Sequence, residues 1–383
     1  MLLLVGPGGV GKTSLAAVLG LQASLYGRRV LVLTVDPAQR LADAVGLDRT
    51  PAGRSCRLSK RSLASAGLDM QYPPEIMMLD TGVSLSAAIR RLARSEKLRR
   101  AIVEHRFFDR MCRDLAGARE YAAVEEILHR HQSGRYDLVV VDTAPSGHAL
   151  DLIDSPEKLL NLVEHRAWRF LTGPASAAGR LAGNGPAGGY LVRTLARFTG
   201  VDFLRQLAAF VGLFADMMEQ IRARCAEMLD LLGRPSSSLV LVTLADPQTS
   251  ARAMQIRHGL NSRGLEPALL LVNRVEPPPE PEGPLPQGLV ERLELLIGER
   301  TSCTARETAE TARYLLRRWQ LQNELHVRDV KAIERLGREL GRQLPVHAVP
   351  ALARDVHELK DLEQIRRHLF GPPPVHTGKG GLP

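Results

Sequence analysis

Apolar and polar positions along this chain fall into two rhythms. Short, nearly unbroken apolar runs recur at LLLVG (2–6), RRVLVLTVD (28–36), EIMML (75–79), YDLVVVD (136–142), SLVLVT (238–243), ALLLVN (268–273) and LPVHAV (344–349). Runs of this length without alternation predict strands covered on both faces, as in a parallel sheet under helices. Between them the apolar spacing turns helical. KTSLAAVLGLQASLYG (12–27) predicts a helix closed by Gly27, and with its flanking strands it makes a βαβ unit. A helical pattern runs over about 84–132, and another fills 156–233, too long for a simple crossover and so expected to be a helical insertion. Within that insertion, GPASAAGRLAGNGPAGG (173–189) predicts a mobile loop. EPPPEPEGPLPQ (276–287) reads as a surface excursion and 371–383 as a disordered tail. The expected fold is α/β: one domain over 1–370, with a mainly parallel sheet of about seven strands flanked by helices and a helical subdomain.

Chemistry enters at GPGGVGKTS (6–14). Gly6, Gly11, Lys12 and Thr13 fit G-x-x-x-x-G-K-[ST] between a strand and a helix, the context that defines a phosphate-binding loop. The expected fold is therefore that of a P-loop NTPase. Gly6, Gly8, Gly9, Val10 and Gly11 would turn backbone N–H groups toward phosphate, and the helix N-terminus beginning at Lys12, Thr13 and Ser14 adds the positive end of its dipole. Lys12 is expected to bridge the β- and γ-phosphates of ATP and Thr13 to hold Mg²⁺. Asp142 closes the run LVVVD and is the second candidate for Mg²⁺ and its waters. The following TAPSGHAL (143–150) has the turn chemistry of a switch that senses the γ-phosphate. Asp36 ends the second strand in DPAQRLADAVG (36–46). It reads as the carboxylate that orients or deprotonates the attacking water, or as a helix N-cap, and the two roles are compatible.

Composition narrows the choice of partner. The 383 residues are 44% hydrophobic and 24% charged, ordinary for a globular protein. The net charge of +9 arises from arginines scattered along the chain, and with aromatics at 4% there is neither a basic block nor a stacking surface for nucleic acid. Four widely spaced cysteines form no CxxC, which argues against a zinc site and a disulfide framework. HRH (129–131) and His347 lack the partner spacing of metal ligands. With MLLLV running directly into a glycine loop no signal peptide is expected, and the longest apolar runs, such as LAAFVGLFA (207–215), reach about half a membrane span. A cytoplasmic protein is expected. A strand that begins at residue 2 is consistent with a native start a little upstream.

GPGGVGKTS, DPAQRLADAVG and DTAPSGHAL stand in the order and spacing of the ArsA-type ATPases, the family of arsenite-pump ATPases and of targeting ATPases for tail-anchored membrane proteins. MMLDT (77–81), LAGAREYAAVEEIL (115–128), ALDLIDSPEKL (149–159), LLLVNRV (269–275) and VPALARDVHEL (349–359) resemble its bacterial, anion-transporting ATPase branch, so the likeness covers most of 1–370. The resemblance implies that Lys12 and Thr13 are the P-loop pair, Asp36 the water-activating aspartate of switch I, Asp142 the aspartate of switch II, and Asn273 the asparagine that reads adenine. It also implies a dimer whose two nucleotide sites face each other and which ATP closes.

Three departures matter. The family loop is usually G-K-G-G-V-G-K-T, and its first lysine reaches the partner's phosphates as an arginine finger does, a contribution of roughly 10³–10⁵ in rate. Here that position is Pro7, which has neither charge nor N–H. A lysine-bearing paralogue in a heterodimer, a stand-in cation such as Arg40, or slow turnover as a timed switch would each account for it; the heterodimer and the slow switch are preferred to a fast homodimer. The zinc CxxC of the eukaryotic targeting homodimer and the cysteine cluster of the arsenite pump are both missing, which argues against an arsenite role.

Over 201–233 the positions Leu204, Leu207, Val211, Phe214, Met218, Ile221, Cys225, Met228 and Leu232 make an apolar stripe at helical spacing. A core helix is the preferred reading, and a client-holding groove for a membrane-protein segment is the alternative that the resemblance implies. The function expected is Mg²⁺-dependent ATP hydrolysis driving a dimer cycle in a targeting, chaperone-like or transport-associated role. The alternatives are a regulatory nucleotide switch within a heterodimer and an energising subunit of an anion-efflux pump.

Overall fold

A computed structural model describes residues 1–36, 40–47, 53–114, 117–143, 206, 209–210, 212–214, 217–280, 288–340 and 344–372. Each predicted apolar run is a strand: β1 (Leu2–Val5), β2 (Val30–Thr34), β4 (Glu75–Met78), β5 (Leu138–Asp142), β6 (Ser238–Leu244), β7 (Pro267–Val275) and β8 (Val346–Pro350). An eighth, β3 (Ser55–Arg57), was not expected. Its sequence is Ser-Cys-Arg, too short and too polar to announce itself, and it pairs antiparallel on the outer edge of β4. The sheet order is β3-β4-β2-β5-β1-β6-β7-β8, and every pairing except β3 with β4 is parallel.

The period of two sorts the strands' side chains into two apolar layers. Leu3, Val5, Leu31, Leu33, Val139 and Val141 join one layer with α7 (Ala118–Gln132), α8 (Met218–Gly233) and α9 (Pro247–Asn261). Leu4, Val30, Val32, Val140, Val240 and Val242 join the other with α1 (Lys12–Leu25) and α12 (Leu359–Phe370). α12 is tied to α1 by Arg366, wholly buried, whose Nη1 donates to Gln22 Oε1 at 2.8 Å while Glu363 neutralises its charge.

The pattern over 84–132 is four helices rather than one. They are α4 (Thr81–Leu92), α5 (Glu96–Val103), α6 (Phe108–Asp114) and α7, and short α2 (Arg40–Ala44) and α3 (Lys60–Ser65) precede them. Asp80 caps α4 through Val83 N–H, Ser95 caps α5 through Leu98 N–H, and Gly117 opens α7 at φ 91°. α8 answers the question of the apolar stripe where it is described: Ile221, Cys225, Met228 and Leu232 are buried in the first layer, as a core helix requires. Leu204, Leu207, Val211 and the loop 173–189 lie outside the described residues, as do 281–287 and 373–383. Helices α10 (Leu289–Arg300) and α11 (Ala305–Leu340) precede β8. α11 is held against the end of β7 by Asp329, whose Oδ2 accepts from Glu276 N–H at 3.0 Å.

Where β4 begins, Glu75 is buried and accepts from Tyr136 Oη (2.6 Å), Arg135 Nη2 (2.7 and 2.9 Å) and Arg57 Nη2 (3.1 Å). Burial pushes its carboxyl up, but the hydrogen bonds outweigh it and bring the pKa down to about 2. A depressed folded pKa gives stability that is present above the ordinary value of 4.5 and lost as pH falls toward 2. Glu75→Gln is therefore expected to cost ~1–3 kcal/mol at neutral pH. Its thermal midpoint should also fall less than that of the native chain between pH 5 and pH 3; parallel midpoints across that range would contradict the assignment.

Candidate nucleotide site

The site forms where the carboxyl ends of β1, β2, β5 and β7 meet α1. The loop after β1 must pass close to neighbouring backbone, and glycine permits it. A Cβ on Gly6 would lie 2.2 Å from the Val242 carbonyl oxygen of β6. Gly11 stands at φ 87°, and a Cβ there would lie 2.2 Å from Asn273 Nδ2. That amide donates to the Val10 carbonyl at 2.8 Å, so the end of β7 is locked beneath the loop. Gly11→Ala meets both the clash and the left-handed backbone. It should weaken nucleotide binding by at least about tenfold and lower stability by ~1–3 kcal/mol. Calorimetric titration with ATP and a melting curve check this; an unaltered affinity would show that the loop tolerates the shift.

Lys12 is buried, and its Nζ donates to the carbonyls of Gly6 (3.0 Å) and Pro7 (2.8 Å). Burial lowers its pKa, while Asp142 and Asp36 oppose that shift. Thr13 Oγ1 donates to Asp142 Oδ2 at 2.7 Å, and Thr34 Oγ1 donates to the same oxygen at 2.8 Å. The other carboxylate oxygen, Asp142 Oδ1, is buried with no hydrogen-bond partner among the described residues. Burial is the first cause that pushes Asp142 up to about 6. An orphaned, buried carboxylate oxygen beside a threonine hydroxyl fits a hard cation such as Mg²⁺, which takes one or two protein oxygens and completes its shell with water and phosphate. Among the described residues no group of three or more His, Cys, Asp or Glu side chains offers a rival metal site.

Asp36 is also buried. Its backbone N–H donates to Thr34 Oγ1 at 3.2 Å, and its Oδ2 lies 3.7 Å from Arg40 Nη1. α2 begins only at Arg40, and residues 37–39 lie outside the described residues, as do 144–150 of the expected switch. Thr143 Oγ1 donates to the Leu4 carbonyl at 2.8 Å, which ties the end of β5 to β1.

A cavity of about 750 Å³ opens over these groups. Gly9, Gly11, Lys12, Thr13, Ser14, Asp36 and Asn273 line it; Gly8 is exposed at the loop tip and Val10 is buried beneath. The cavity also takes in residues to which the sequence assigned no role. Arg274 follows Asn273 at φ 54°, the one positive φ outside glycine among the described residues. Arg354, from the segment after β8, faces in with its guanidinium on Asp361 (2.9 and 3.0 Å). Thr34 was missed as well, though a lone hydroxyl in the run VLVLT was its signal.

Comparison with known proteins falls on the same residues. The family described as anion-transporting ATPase (ArsA_ATPase) matches residues 1–172. An uncharacterized protein of Streptomyces coelicolor is 30% identical over 295 residues, 75% of this chain and 66% of its own length. A putative arsenical pump-driving ATPase of Halobacterium salinarum is 28% identical over 62% of this chain and 34% of its own length. The ATPase get3 of Schizosaccharomyces pombe is 26% identical over 70% of this chain and 71% of its own length. The chain thus spans just under two thirds of the first relative and about a third of the second. The matched segment contains Lys12, Thr13, Asp36 and Asp142, whose side chains meet in one cavity or directly beneath it, and over that segment the chain is similar to the ArsA-type family of ATPases.

Proposed function

We propose that this chain binds ATP with Mg²⁺, hydrolyses it by in-line attack of water, and couples that cycle to the opening and closing of a dimer in a targeting, chaperone-like or transport-associated role. The observation that carries the reading is Asp142, in electrostatic contact with Lys12: one oxygen is taken by Thr13 and Thr34, and the other is buried and unpartnered among the described residues. Thr13 and Asp142 would hold Mg²⁺, which supplies neutralising charge on the phosphates. Lys12, now on two loop carbonyls, exchanges them for β- and γ-phosphate oxygens. Asp36 orients the attacking water and accepts its proton. Asn273 reads the adenine edge with whichever amide hydrogen-bonding capacity Val10 leaves free. The test is calorimetric titration of the purified chain with ATP, with and without Mg²⁺, followed by steady-state hydrolysis. Mg²⁺-dependent binding is expected; absence of ATP binding overturns the reading.

Pro7 favours a second version of the same cycle. Its backbone carbonyl serves Lys12, but its side chain has no cation to send to a partner. A regulatory subunit paired with a lysine-bearing paralogue, or a slow switch acting alone, follows from that. The energising role in anion efflux draws no support from the site, since the described residues gather no thiol or histidine cluster. Among them no helix is long and apolar enough to cross a membrane.

A further inference from the structure

The opposite end of the sheet holds a second cavity, of about 650 Å³. It lies at the amino ends of β2, β4 and β5, about 15 Å from the nucleotide loop, the length of a five-residue strand. Its floor is Glu75, the buried carboxylate described above, and its walls carry four cations: Arg29, Arg57, Lys60 and Arg135. The arrangement follows from pairing. The antiparallel register of β3 sets Arg57 directly opposite Glu75, and Arg135 reaches the same carboxylate from the turn before β5.

Glu75 does not neutralise this end; it organises it. Arg57 and Arg135 each give the carboxylate only Nη2, so their remaining N–H groups are held in place and unused among the described residues. Lys60 has no ion-pair partner among the described residues, and Arg29 is matched by Asp137 at 2.6 Å. Four positive charges against Glu75 and Asp137 leave a net excess of two, on guanidinium forks of the geometry that suits phosphate oxygens. The cavity is larger than an inorganic anion needs, and the rest of its wall includes Leu58, Tyr72 and Pro73.

We propose that this cavity is a second ligand site, for a phosphate monoester: the phosphate on Arg57, Arg135 and Lys60, and its organic group against Tyr72 and Pro73. A phosphate monoester can be a soluble compound or a lipid headgroup, and both present the same dianion.

The experiment uses the full chain and two probes. Phenyl phosphate is titrated calorimetrically into the native protein and into Arg57→Ala/Lys60→Ala, whose substitutions are at exposed side chains and leave the P-loop intact. Binding at least about tenfold weaker in the variant is expected, from the loss of two charge-assisted contacts. Inorganic phosphate should bind more weakly than phenyl phosphate to the native chain. In parallel, both proteins are sedimented with phosphatidylcholine vesicles, with and without phosphatidic acid. Variant-sensitive binding to phenyl phosphate alone supports the site with a soluble ligand; variant-sensitive binding to phosphatidic acid vesicles supports it with a lipid headgroup. Equal binding by the two proteins, or no binding of either probe to the native chain, overturns it. Circular dichroism and ATP titration of the variant separate a local loss from unfolding.

Discussion

Pro7→Lys raises the ATP turnover of the isolated chain, by roughly 10- to 10³-fold at protein concentrations that support a dimer. The reasoning is local. At position 7 the main chain already serves Lys12 through its carbonyl, which lysine retains. What the substitution adds is a long cationic side chain at the loop, free to meet phosphate charge developing across an interface. A cation acting from the partner should appear as a rate that climbs with protein concentration, whereas one acting within its own subunit should not. Steady-state hydrolysis of the native chain and the variant over a dilution series gives the answer. Unchanged turnover at every concentration would mean that position 7 is not what limits this site, and Arg40, 3.7 Å from Asp36 and facing the same cavity, becomes the cation to remove next.

Asp36→Asn lowers turnover by roughly 10²–10⁴-fold while ATP affinity stays within a few-fold. The change keeps the shape of a buried side chain and deletes its charge and its ability to take a proton. The loop's hydrogen bonds run to other groups: Lys12 rests on Gly6 and Pro7, and Thr13 on Asp142. Affinity and turnover should therefore separate. If the native chain turns over too slowly to measure, the pair is compared in the Pro7→Lys background. Turnover within twofold of the parent would remove Asp36 from the chemistry, and a lowered melting point alone would leave it a structural residue at the exit of β2.

The sequence displayed the parallel strands because each is an apolar run that two helical layers must cover, and it displayed the phosphate loop because glycine, lysine and threonine are needed there in one order. Elements whose identity depends on a distant neighbour stayed hidden. β3 is a strand only because β4 offers it an edge. The helices over 81–132 are separated by Ser95 and Gly117, single residues inside a pattern whose apolar period hardly changes. Asn273 could be singled out by resemblance, but that its amide holds the Val10 carbonyl is a contact between positions 263 apart. Glu75 opens the apolar run EIMML, and only the fold brings Arg57 and Arg135 onto it.

The order of the sheet has a practical consequence for anyone who would study the signature segment alone. β1, which leads into the phosphate loop, lies between β5 and β6, and β6 starts at Ser238. α1 is covered by α12, which starts at Leu359, and Arg366 fastens the two. A protein cut after residue 172 would keep every motif of the family match yet expose a bare edge on its central strand and strip one face of its first helix. The recognisable segment and the autonomous folding unit are different lengths of chain. Expressed apart, the two lengths should behave as complementing fragments, each insoluble or unfolded until the other restores the middle of the sheet.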